Sequence, residues 1–164
     1  VIVSYVDEAD PHAIGLRLNH ERAARLVEGL GGERFVSMLS LAELASVYSR
    51  AGLGEPLPLA VYSVGAVGAR VAGLDFSKVL REAFERGPAL KLRALDLLHL
   101  VACRAAGCEE FAALDAGVAG RADAVSRELG VRVVTAVQPA EARVTPRAGS
   151  GGVRRTRRCA VARC

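Results

Sequence analysis

The chain has no tryptophan, and aromatic residues make up only 4% of its 164 positions. A platform of stacked rings for single-stranded nucleic acid is therefore poorly supported. The core must come from Leu, Val and Ala, as in helix-rich α/β domains. There is no apolar run of about 18 residues, so no membrane span is indicated. There is also no charged leader followed by an apolar stretch, so no signal peptide is indicated. The 17 glycines fall into neither a P-loop nor a dinucleotide fingerprint, which argues against a nucleotide-binding doubly wound domain. The four cysteines form two pairs, Cys103/Cys108 and Cys159/Cys164, with no His pairs beside them. A zinc site is weakly supported, and reduced, buried thiols in a cytoplasmic protein are the expectation.

Acids are missing from one end. From Arg143 onward the chain carries seven arginines and no carboxylate. The formal charge of +4 therefore belongs to this tail: the remaining 15 basic residues face all 18 acids. Residues 139–164 are rich in Gly, Arg and Thr without periodicity, and they are expected to be a disordered tail. Residues 1–138 are long enough for one domain with a sizeable core.

Within that domain, VIVSYV is apolar from Val1, with no lead-in, and the pattern anticipates an upstream piece. Asp10-Pro11 signals a helix start, and a stripe from Ala13 to Leu30 ends at Gly31 and Gly32. Arg34–Met38 reads as a strand, and Ser40 opens a helix that runs to about Arg50. Leu57–Leu74 is apolar nearly all round and reads as a buried helix, its glycines allowing close packing on a neighbour. Asp75–Arg86 is amphipathic, with Phe76, Val79, Leu80 and Phe84 inward, and Gly87-Pro88 breaks it. A helix over Leu92–Ala106 follows. Glu110–Leu114 is a strand, Ala119–Leu129 a helix and Val131–Thr135 the last strand. The alternation implies a parallel sheet covered on both faces, an α/β fold.

The helix Leu92–Ala106 contains one acid, Asp96, among apolar neighbours. An ionised carboxylate there loses water and needs compensation. It could cap the helix, pair with Arg93 or His99, or hold a divalent cation with other acids. In an open parallel sheet, sites form outside the C-terminal strand ends. Glu43 and Asp115 each follow such an end, and a right-handed crossover brings the start of the Asp96 helix to the same edge. Each has a structural alternative: Ser40-x-x-Glu43 is a capping-box pattern, and Asp115 with Gly117 fits a strand-to-helix turn. Taken together, three carboxylates in one cleft repel each other and need a cation. Mg²⁺ or Mn²⁺ suits such oxygen ligands and can support hydrolysis of a phosphodiester. His99, mid-helix in an apolar run, is assigned to packing rather than to catalysis.

The segments SLAELASVYSRAG, RALDLLHLVACRAAG and EEFAALDAGVAGRA resemble the motifs of the PIN-domain family, and more narrowly its VapC-type toxin ribonucleases. The resemblance covers about Val1–Val137. It implies a three-layer α/β/α sandwich with a parallel sheet, acid-bound Mg²⁺ or Mn²⁺, and metal-dependent cleavage of RNA. It carries Glu43, Asp96 and Asp115 onto three catalytic, metal-binding acids of the family. It also implies a cognate antitoxin that covers the cleft, and frequently a homodimer. The chain departs from the family pattern at its start. The family's first acid ends a central first strand, upstream of the segment resembling Val1–Val6, so the N-terminus reads as truncated or as lacking its true beginning. The family's Thr or Ser two residues before the last acid is Ala113 here, and Asp123 is assigned to the surface. The alternative reading is a catalytically incomplete PIN-like module that binds antitoxin or RNA without cutting. The arginines of the tail could touch RNA phosphates without sequence preference.

Overall fold

The computed structural model describes residues 21–135 and, within the tail, the backbone of residues 157–160. The apolar start at Val1–Val6, the Asp10-Pro11 helix signal, and most of the tail lie outside the described residues. A helix over residues 21–29 (α1) leads into strand β1 (Glu33–Ser37). Then come α2 (Met38–Arg50), α3 (Pro56–Ala66), β2 (Ala69–Ala72), α4 (Phe76–Leu90) and α5 (Ala94–Ala105). Strand β3 (Glu110–Ala112), α6 (Ala116–Ala119), α7 (Ala122–Leu129), β4 (Arg132–Val134) and β5 (Arg157–Ala160) complete the order.

All five strands pair in parallel in the order β2-β1-β5-β3-β4. Successive side chains of a strand face opposite sides, and burial follows that alternation. Phe111 and Val133 pack with Val79, Leu90, Leu100 and Val125 of α4, α5 and α7. Ala112 packs with Leu26 and Leu30 at α1, and Val36 packs with Leu41 and Val64 of α2 and α3. The result is the expected three-layer α/β/α sandwich. Leu90, Leu100, Val101 and Val125 are wholly enclosed, and burying each such side chain contributes about 1.5–3 kcal/mol.

Several elements differ from the sequence expectation. Leu57–Leu74 is not one buried helix: α3 stops at Ala66, Gly68 turns the chain at φ 68°, and Ala69–Ala72 is an edge strand. Its composition could not separate a short apolar strand from a helix segment. Leu57, Val61 and Tyr62 of α3 are exposed. In α4 the inward stripe is Val79, Ala83 and Leu90, while Leu80 and Phe84 face outward, Phe84 at 79% exposure. Phe76 and Val79 face inward as expected, and the difference falls on Leu80 and Phe84. Helix α4 also continues through Gly87-Pro88 to a left-handed cap at Lys91. Proline removes the N–H that would bond the carbonyl of residue 84, and that residue lies on the solvent side, where water can replace it. The helix expected over Ala119–Leu129 runs over Ala122–Leu129, and a separate short helix, Ala116–Ala119, capped by Asp115, precedes it.

The tail also departs from its expectation. Arg157–Ala160 is a strand between β1 and β3, with Phe35↔Cys159 and Phe111↔Cys159 in register. Its composition carries no strand signal; the ladders on both sides define it. Cys103 and Cys108 are buried and outside any disulfide, as expected. Among the described residues, no helix is long and apolar enough to cross a membrane.

Candidate active site

The strand order reverses between β1 and β3. From β1 the chain winds outward to β2, and from β3 it winds the other way to β4. Such a switch point opens a crevice at the C-terminal strand ends. β1 ends at Ser37, which caps α2: its Oγ accepts from the Ser40 N–H at 3.2 Å. The capping box anticipated for Ser40 and Glu43 therefore does not form, because the helix starts one turn earlier. Glu43 is free of that role and sits in the second turn, its side chain 30% exposed.

β3 leads through Ala113 and Leu114 to Asp115. Asp115 Oδ1 accepts from the backbone N–H groups of Gly117 at 2.7 Å and Val118 at 3.2 Å. The turn reading of Asp115 thus holds, and the same carboxylate also lines the crevice. A Cβ on Gly117 would stand 2.8 Å from Asp115 Oδ1, so a larger residue there would make the carboxylate shift.

Asp96 lies in the first turn of α5 and is only 4% exposed. The positive end of the helix favours an anion at this position. Arg93 caps the helix by position but gives no side-chain capping bond. Asp96 and Asp115 together line two adjoining cavities. One is a narrow pocket that also touches His99, Phe111 and Val118. The other has a volume of about 380 Å³ and is bordered by Lys91, Arg93, Gly117 and Arg121.

Glu43 reaches this crevice through a residue that the sequence assigned to packing alone. His99 is buried as expected, yet its Nε2 lies 2.8 Å from Glu43 Oε2 and its Nδ1 lies 3.4 Å from Ser40 Oγ. An ionised carboxylate only accepts, so Nε2 carries the proton and donates. In the neutral ring Nδ1 then accepts from the Ser40 hydroxyl, which lies 3.3 Å from Ser37 Oγ. Of the three acids, the structure brings Asp96 and Asp115 onto one cavity wall and links Glu43 to it by way of His99. Only its spacing of one turn from Asp96 marked His99 in the sequence.

The donor chemistry of the acid pair suits a hard cation. Mg²⁺ and Mn²⁺ take carboxylate oxygens, and Mg²⁺ commonly uses only one or two of them, with waters and substrate phosphates filling the rest. Among the described residues, no group of three or more His, Cys, Asp or Glu side chains is gathered so as to hold a metal ion. Asp96 and Asp115 are the two acids that border a common cavity, and Glu43 meets it only by way of His99.

The PIN-domain family model matches residues 12–124, which contain all three acids. No curated protein and no solved structure matches the chain.

Proposed function

Because the chain belongs to the PIN-domain family, we propose that it is a divalent-metal-dependent endoribonuclease of the VapC type, the toxin of a toxin–antitoxin pair acting in the cytoplasm. PIN domains are generally nucleases, act on RNA or DNA, and generally use divalent metal ions. The finer reading rests on one observation above the rest: Asp96 and Asp115 share a cavity at the strand-order reversal of a parallel sheet.

In this reading Asp96 and Asp115 hold Mg²⁺ or Mn²⁺, and Glu43 completes the acidic margin. A bound divalent ion supplies charge stabilisation at the phosphate and a more acidic water. The protein's own contribution is positional. The amides of Gly117 and Val118 fix one oxygen of Asp115 and leave the other for a ligand. His99 holds Glu43 Oε2 and so restricts where that carboxylate can go. The enclosure of Asp96 keeps bulk water off its carboxylate, which strengthens its attraction for a cation. The cognate antitoxin and a second copy of the chain are the proposed protein partners. The exposed Leu57, Val61 and Tyr62 on α3 support a protein contact on that face.

A second reading is a catalytically incomplete PIN-like module that binds antitoxin or RNA without cutting. It draws on the lack, among the described residues, of a three-ligand cluster. The two readings separate in one experiment. RNA is incubated with the purified chain and Mg²⁺ or Mn²⁺, with EDTA, and with Asp96→Asn. The nuclease reading expects cleavage that EDTA abolishes and that Asp96→Asn lowers by about 100-fold or more, a loss of ~2.7 kcal/mol in transition-state stabilisation. Cleavage unchanged by Asp96→Asn would remove these acids from the site. No cleavage with RNA binding retained would establish the second reading.

A further inference from the structure

We propose that Lys91, Arg93 and Arg121 form a rim that holds backbone phosphates of single-stranded RNA beside the acid pair. The choice of RNA rests on the nuclease reading, and the rim adds to it a binding track for the substrate. The three cations border the same cavity of about 380 Å³ as Asp96 and Asp115, a volume within the ~300–1,000 Å³ of typical ligand clefts. They come from three points of the chain. Lys91 is the left-handed C-cap of α4, Arg93 the N-cap of α5 and Arg121 the N-cap of α7.

Capping does not account for the two arginines. N-caps favour Ser, Thr, Asp and Asn, whose side chains accept from the first helical amides. Neither Arg93 nor Arg121 makes such a bond. A helix N-terminus also carries partial positive charge, so a cation there is electrostatically unfavourable. Each helix carries a first-turn acid that offsets part of this cost, Asp96 in α5 and Asp123 in α7, and two exposed arginines so placed on one cavity suit an anion arriving from outside. All three side chains are exposed. Among the described residues none of them joins an ion pair, whereas Arg70, Arg86, Arg104 and Arg132 are each paired with a glutamate.

The neighbouring acids decide what kind of anion fits. A compact free anion in the cavity would meet two carboxylates as well as the rim. A nucleic-acid backbone can use both, with one phosphate on the rim cations and the next beside the acids, where the divalent ion of the nuclease reading would offset their charge. The scarcity of aromatic residues removes base stacking as the main source of affinity. Binding is therefore electrostatic, tolerant of sequence and sensitive to salt.

The test uses the full chain with EDTA, so that nothing is cut, and a fluorescein-labelled 12-nucleotide RNA of mixed sequence. Anisotropy gives the affinity across a KCl series. The triple change Lys91→Gln, Arg93→Gln, Arg121→Gln is expected to weaken binding about tenfold or more. It should also lower the slope of log affinity against log salt by about 2, at ~0.7 per phosphate contact on a single strand. Each single change should cost about two- to threefold, which keeps the comparison available should the triple variant fold poorly. A control triple, Arg50→Gln, Lys78→Gln, Arg127→Gln, removes the same charge elsewhere and is expected to lose less than about twofold. The rim is refuted if its triple variant binds like the unaltered chain, or if the control loses as much. Failure of the nuclease reading looks different. Rim-dependent binding with no cleavage in Mn²⁺ keeps the rim and removes the enzyme, and cleavage whose KM ignores the rim triple does the reverse.

Discussion

His99 Nε2 and Glu43 Oε2 stand 2.8 Å apart although 56 residues separate them in the chain. The bond joins α5 to α2 across the reversal in strand order, and its imidazole is almost wholly enclosed while its carboxylate is partly wet. A hydrogen bond to an ionised group of this kind contributes about 1.5–3 kcal/mol, and its loss strands a buried polar partner. The same bond limits where the Glu43 side chain can go, so stability and site geometry are linked at this point.

Replacing His99 by Ala removes the bond and opens a space under α2. The expected loss is about 2–4 kcal/mol, combining the broken charge-assisted bond with the cavity term. A urea midpoint that falls with the slope unchanged would register it. His99→Gln keeps a donor and much of the volume and should recover part of that loss. A His99→Ala chain as stable as the original would mean that the Glu43 contact contributes nothing to the fold.

Gly117→Ala tests the Asp115 turn. A methyl group at that position meets Asp115 Oδ1 at 2.8 Å, so the carboxylate must shift, and its bonds to the amides of Gly117 and Val118 are strained or lost. Loss of an N-cap bond costs about 0.5–2 kcal/mol, a modest change for the fold but a displacement of the acid itself. RNA cleavage should therefore fall by more than the change in stability accounts for. Gly65→Ala is the comparison: that glycine lies in α3 with nothing within 4 Å of an added Cβ, and alanine there should stabilise by about 0.5–1 kcal/mol. Cleavage retained in Gly117→Ala would show that the position of Asp115 does not govern the chemistry.

Asp96 and Asp115 could be found in the sequence because each breaks a local pattern. One is an acid inside an apolar helix, and the other directly follows an apolar strand. The layer order could be read as well, since alternating strands and helices leave few ways to cover a parallel sheet. What escaped was set by distant partners. The contact of Glu43 with His99 depends on how α2 and α5 pack, which no spacing along the chain encodes. β2 was hidden because an apolar segment with glycines serves equally as helix or strand until Gly68 turns. The outward turn of Phe84 is not legible because a stripe through Leu80 and Phe84 looks as regular as the buried one through Val79 and Ala83. β5 lay furthest from reach, because a strand's preference is largely a property of its neighbours.

Those neighbours make β5 the most exposed commitment of the fold. β1 pairs with β2 and β5, and β3 pairs with β4 and β5, so Arg157–Ala160 is what joins the two halves of the sheet. The candidate site straddles that seam, with Glu43 reached from β1 and Asp115 from β3. Proline in a strand paired on both sides removes a ladder donor and is confined in folded proteins to edges and bulges. Arg158→Pro should therefore destabilise the chain by about 3 kcal/mol or more, and amide exchange at Phe35 and Phe111 should accelerate together. Arg158→Val keeps the backbone donor and has a high strand preference, so it should leave exchange at both positions protected. If Arg158→Pro unfolds at the same urea concentration as the original chain, then β1 and β3 are joined by something other than this segment, and the central position of the sheet belongs to another strand.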